Sequence, residues 1–99
     1  MKKMHRKPTS PGEILNEEYL QPMGLTQKQL ADHIGVDIKV INRIIKGRSG
    51  ISPGVAVKLA YALNTSPEFW LNAQMAVDIY HAEEDLQTRP PPLGRKKSA

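Results

Sequence analysis

The 99-residue sequence predicts an all-α fold: a compact five-helix domain whose last helix is extended. Three observations carry this expectation. Helix-start signals recur at the head of each apolar-periodic segment. No stretch alternates apolar and polar residues for a useful length, and the dipeptides of tight β-hairpins are missing. The last periodic segment holds one apolar face for longer than a small domain requires.

The elements follow in order. Ser10, Pro11 and Glu13 form the first start signal. Ser serves as N-cap, Pro takes the first helical position where its missing N–H costs nothing, and Glu three residues after the cap completes a capping box. This helix is expected to reach about Leu20, burying Ile14, Leu15, Tyr19 and Leu20, and to stop before Pro22. Thr26 caps a second helix to about Ile34, and Asp37 caps a third that ends at Gly47, a residue suited to the left-handed conformation past a helix end. Ser52-Pro53-Gly54 opens a fourth, with Val55, Leu59 and Leu63 on one face. Ser66-Pro67-Glu68 opens the fifth, from Pro67 to roughly Leu86. Its start, Phe69, Trp70 and Leu71, reads as core. Its stripe of Leu71, Met75, Ile79, Ala82 and Leu86 keeps one continuous apolar face, and beyond Val77 a domain of four short helices has little left to cover it. Self-association through Met75, Ile79 and Leu86 is the expected use. The organisation is thus a basic arm at 1–9, a folded domain at 10–86, and a proline-rich basic tail at 87–99 that is expected to be disordered.

The net charge of +4 is unevenly placed. Lys2, Lys3, Arg6 and Lys7 carry +4 in the arm, and Arg89, Arg95, Lys96 and Lys97 carry +4 in the tail, leaving the middle at −4. Within that acidic middle, residues 26–48 reverse the sign: five bases (Lys28, Lys39, Arg43, Lys46, Arg48) stand against two acids (Asp32, Asp37), a local +3. A patch of this kind points to a polyanion. With no cysteine, disulfides and thiolate metal sites are excluded and a reducing cytoplasm is permitted. The basic start MKKMHRK is followed by Pro8, Thr9, Ser10 and Pro11 where a secretory leader would need an apolar stretch. No apolar run approaches the roughly 20 residues that a bilayer demands. A cytoplasmic, nucleoid-associated protein is expected. Catalysis is not: His5, His33 and His81 have no cysteine nearby, and Asp78, His81 and Asp85 form a common helix-surface cluster that does not close a coordination shell. No cofactor is implied.

The spacing inside Gln27 to Ile44 supplies the function. Two helices meeting steeply through a short turn need a small residue at the crossing, which is Ala31, and a residue tolerant of positive φ four positions later, which is Gly35. Leu30, Ile34, Val36, Ile41 and Ile44 fill the wedge between them. This is the helix-turn-helix pattern, whose second helix enters the major groove of DNA. With Ile41, Ile44 and Ile45 turned inward, Ile38, Lys39, Asn42, Arg43 and Lys46 fall on the opposite side, a face without acids after Asp37. Lys39 and Arg43 suit guanine O6 and N7, Asn42 suits adenine or else a phosphate, and Ile38 suits a thymine methyl. Gln27, Lys28, Lys46 and Arg48 are expected near phosphates. Asp37 caps well but sets a negative charge close to the DNA backbone.

LTQKQLADHIGV, followed by INRIIKG and a helix opening TSPEFWLNAQMA, resembles the HigA antitoxin (virulence-associated protein I) family within the phage-repressor-like helix-turn-helix group. SPEFWLN and the early PGEIL carry the narrower likeness, and the match covers about Pro11 to Asp78. The resemblance implies a lambda-repressor-like fold and a dimeric repressor of its own operon. It also implies a small basic partner, a HigB-like ribonuclease toxin that cleaves messenger RNA; a stand-alone phage-type regulator is the alternative. Gln27, Ile38, Lys39, Asn42 and Arg43 match the DNA-contacting positions of that group. Asp37 and Ile38 depart from its usual Ser, Thr or Pro and its usual polar residue, so the operator does not follow from the likeness.

Overall fold

The computed structural model describes residues 6–94; Lys2 and Lys3 of the arm and Arg95, Lys96 and Lys97 of the tail lie outside the described residues. Five helices and no strand occur among them. Helix α1 comprises Pro11–Ile14, a wider Leu15–Leu20 segment, and Gln21–Met23. Helices α2 (Gln27–Ile34), α3 (Ile38–Ile45), α4 (Pro53–Leu63) and α5 (Pro67–Asp85) follow. None of the described helices is long and apolar enough to cross a membrane.

Local chemistry sets both ends of these helices. Ser10, Thr26, Asp37, Ser52 and Ser66 each accept a backbone N–H with the side chain, satisfying one of the donors that a helix start leaves unpaired. At Ser10 and Thr26 the bond is reciprocal, through Glu13 and Gln29, to give full capping boxes. At the far ends, Gly24, Gly35, Gly47 and Asn64 adopt positive φ. Just beyond them the N–H groups of Leu25, Val36, Arg48 and Thr65 reach back five residues to the carbonyls of Leu20, Ala31, Arg43 and Ala60. That is the Schellman closure, which satisfies carbonyls that would otherwise face water or the core unpaired.

Helix α1 departs from expectation at Pro22, through which it continues to Met23. Residues Leu15–Leu20 widen to i→i+5 geometry, and the wider turn gives the pyrrolidine ring room that a regular α-turn lacks. The stop comes instead at Gly24, in the left-handed conformation.

One core joins all five helices. Leu15, Leu20, Leu30, Ala31, Ile41, Ile44, Ile51, Ala56, Leu59, Leu63 and Trp70 are buried together. Trp70 is fully enclosed, flanked by Tyr19 and Phe69 with ring centroids 5.6 and 5.0 Å away, and its indole Nε1–H donates to Thr65 Oγ1 at 2.7 Å. The expected core of α5 is corrected here. Phe69 remains 39% exposed and Leu71 half-buried, because three consecutive helical residues point about 100° apart and cannot all face inward. Val55 on α4, and Ile14 and Tyr19 on α1, are likewise half-buried rather than central. Farther along α5, Val77 is the last buried residue, and Met75, Ile79 and Leu86 are each about half exposed. The helix ends at Asp85, and residues 86–94 form no further helix.

Candidate nucleic-acid interface

Helices α2 and α3 form the two-helix unit anticipated from the sequence. Ala31, fully buried, lets them cross closely; Gly35 turns the chain with φ of 74°. Leu30, Ile41 and Ile44 are buried in the wedge, with Ile34 and Val36 half-buried at its edge. Ile41 and Ile44, three residues apart, anchor α3 on one side, and Val40 and Ile45 pack partly against the same core.

The other side of α3 is open. Lys39, Arg43 and Lys46 are exposed, Ile38 is 44% exposed, and Arg48 follows on the loop beyond. These four cations make no side-chain hydrogen bond or ion pair with any described residue. Lys28 differs: its Nζ lies 3.1 Å from Asp32 Oδ2, an exposed pair one turn apart on α2. Such pairs contribute only about 0.3–0.5 kcal/mol, little enough to yield to a stronger anion. Asp37 is committed to capping, with Oδ1 accepting the Lys39 N–H at 2.8 Å, so its charge sits against the positive end of the α3 dipole. Gln27 and Asn42 are half-buried and joined: Asn42 Nδ2 donates to Gln27 Oε1 at 3.1 Å. The backbone N–H groups of Gln27 and Lys28, at the first two positions of α2, have no partner within the helix.

Two positioning contacts were not foreseen from the sequence. Gly12 is buried where α1 crosses α3, and a Cβ there would collide with the Ile44 carbonyl oxygen and lie 2.8 Å from Ile45 Cα. The early PGEIL segment therefore carries a direct backbone-to-backbone approach. Beyond the end of α3, Gln74 of α5 accepts the Ile51 N–H at 3.1 Å and donates to Asp78 at 2.9 Å, tying down the loop that carries Arg48. Glu13, which completes the α1 capping box, has its carboxyl held below the usual range. The Ser10 backbone N–H is the main cause and the Ser10 hydroxyl the next; slight burial opposes them, and Lys7 adds a weak favourable charge.

A short helix pinned by its apolar side, joined through a tight turn to a second that packs against it and presenting cations outward, defines the helix-turn-helix class. A family model described as helix-turn-helix matches residues 17–70. Antitoxin HigA-1 of Vibrio cholerae is 46% identical over 87 residues, covering 88% of this chain and 82% of that protein. Among solved structures, antitoxin GraA in complex with its operator superposes with a TM-score of 0.77 at 41% identity, covering 86% of each chain. Pseudomonas aeruginosa antitoxin HigA with the higBA promoter superposes with a TM-score of 0.81 at 30% identity, covering 88% of this chain and 99% of that one. The chain belongs to the helix-turn-helix family and, within it, to the HigA-type antitoxins.

Proposed function

We propose that this protein is a sequence-specific DNA-binding antitoxin that represses its own operon and neutralises a HigB-like ribonuclease toxin. The observation that carries the DNA-binding half is the cationic side of α3, exposed while Ile41 and Ile44 hold the helix to the core. A helix with its side chains is about 10–12 Å across, a match to the width of the major groove. With α3 in that groove, Lys39 and Arg43 donate to guanine edges, Arg43 bidentately, and Ile38 offers methyl contact to thymine. Lys28, Lys46, Arg48 and the first N–H groups of α2 meet phosphates, which position the protein without reading sequence. Asp37 lowers affinity somewhat by its charge. The arm at 1–9 and the tail at 87–99 add sequence-independent attraction that fades with salt.

Repression calls for two such faces. The uncovered stripe of α5, with Met75 and Ile79 about half exposed and Leu86, equally exposed, just past the helix end, suits a second copy of the chain, and half-sites about 34 Å apart would then be read together. Ile79→Lys would place a charge in that interface; a shift toward monomer in sedimentation, with operator affinity falling, is the expected outcome. An unchanged sedimentation profile would remove α5 from the dimer. The antitoxin half rests on kinship with HigA proteins, and the exposed acids Glu17 and Glu18 on α1 would favour a basic toxin's approach. The deciding experiment expresses the neighbouring small basic gene product alone and with this chain. Growth arrest alone and recovery together support the proposal. Operator binding without any toxic neighbour would leave a stand-alone regulator.

A further inference from the structure

On α4, Tyr61 is 87% exposed and Val57, one turn before it, 41%; together they form an apolar ridge on the side of the helix opposite the buried Leu59. A hollow lies on each flank of this ridge. One, of about 510 Å³, is lined by Ala60, Asn64 and Pro67; the other, of about 290 Å³, by His33, Ile34, Lys58 and Ala62. Val57 and Tyr61 border both. The flanks also differ in charge. Lys58 stands at the smaller hollow, whereas Glu68, exposed and next to Pro67, stands beyond the larger. A ridge with a hollow beside it is self-complementary under a two-fold axis, since each copy seats its ridge in the other's hollow. With the axis between Tyr61 and the larger hollow, each Tyr61 meets Ala60, Asn64 and Pro67 of the other copy, and each Lys58 comes to lie over the other copy's Glu68. An axis on the smaller hollow's side would instead crowd the two Lys58 ammonium groups together, so charge selects the first arrangement.

We propose that the Tyr61 face of α4 is a second self-association surface, through which dimers paired along α5 meet one another. The two surfaces do not compete: Ile79 lies 12 residues, about 18 Å, along α5 from Pro67. A duplex leaves the Tyr61 face free as well, because His33 and Ile34 close the end of α2 opposite to the start assigned to phosphate. An inserted tyrosine buries about 150–250 Å², and two of them stay far below the roughly 1,600 Å² of a standard stable interface, so the contact is weak in free solution. It gains force where two dimers occupy neighbouring sites on one duplex and the second encounter becomes intramolecular. The contact itself is independent of the antitoxin reading; its effect on operator occupancy rests on the DNA-binding reading and deepens it.

Sedimentation of the full-length protein from micromolar to millimolar concentration is expected to show two copies and then four. Tyr61→Ala, at an exposed position, should weaken the second step at least tenfold and leave the first. Lys58→Glu and Glu68→Lys should each weaken the second step about tenfold, and the double variant should regain it, a rescue that loss of structure would not give. On a duplex carrying in tandem two sites selected from a randomised library, the unaltered chain should fill both with about tenfold cooperativity. Tyr61→Ala should fill them independently at unchanged single-site affinity. Four-copy species that survive Tyr61→Ala, charge reversals without rescue, or no species above two copies together with independent filling would each overturn the proposal. Loss of toxin neutralisation in Tyr61→Ala with association unchanged would overturn it too, by giving the face to the toxin. If the unaltered chain selects no sequence, the DNA-binding reading falls, and sedimentation alone decides the Tyr61 contact.

Discussion

Gly12→Ala tests the link between the first helix and the recognition helix. The added methyl would meet the Ile44 carbonyl oxygen, with the Ile44 carbon and Ile45 Cα each 2.8 Å away. All three are backbone atoms, so no rotamer change can clear the space, and α1 must move off α3. Overpacking of this kind costs about 1–3 kcal/mol, and the upper half applies where the neighbours cannot yield. Against it stands the helix preference of alanine over glycine, at most about 1 kcal/mol and smaller in a first turn. The net expectation is a loss of about 1–2 kcal/mol, which for a domain of this size lowers the melting temperature by roughly 5–15 °C. Thermal melts followed by far-UV circular dichroism measure it, and operator affinity measured well below the melt reports whether α3 has moved. A variant that melts at or above the parent temperature would refute the close approach and the reasoning built on it.

Other outcomes follow from the same structure. Lys39→Ala and Arg43→Ala should each cost about 1–3 kcal/mol on the cognate site and relax base choice, whereas Lys46→Ala should weaken all duplexes alike and flatten the salt slope by about one; titrations against two sequences at several salt concentrations distinguish them. Thr65→Val keeps the shape beside Trp70 but removes the acceptor of its buried indole N–H, so chemical denaturation should show a loss of about 1–3 kcal/mol. Glu13 has a folded-state pKa below its usual value, so its contribution to stability is complete above the ordinary carboxylate range and is lost as pH falls through the lower folded value. Melts across that acidic window should decline less steeply for Glu13→Gln than for the parent; parallel declines would show that the Ser10–Glu13 box is not what titrates.

The parts of this fold that were legible in the sequence are those set within four residues. Ser10 with Glu13, Thr26 with Gln29, and the Ser-Pro pairs at 52 and 66 announce helix starts because a cap and its recipient are neighbours in the chain. Ala31 and Gly35 announce the turn for the same reason. Pro22 misled because the rule against proline assumes regular α geometry, and the widened Leu15–Leu20 segment relaxes it. The order of burial among Phe69, Trp70 and Leu71 was out of reach, since all three are apolar and the choice is made by Thr65, Tyr19 and the rest of the core. At the recognition face, the exposed cations of α3 could be read from periodicity alone. The Gln27–Asn42 bond could not, because it joins side chains on two helices whose crossing is settled only in the folded molecule. Gly12 is the same case: its lack of a side chain matters only where α3 arrives.

The left-handed closures at Gly24, Gly35, Gly47 and Asn64, paired with a hydroxyl or carboxylate at every helix head, have a kinetic corollary. Instructions that near to one another in the chain require little loop closure before they take effect, so each segment can begin and end correctly before distant partners are found. A denatured copy whose X–Pro bonds are still trans should accordingly regain its shape within micro- to milliseconds once denaturant is diluted, without a slow search for remote pairings.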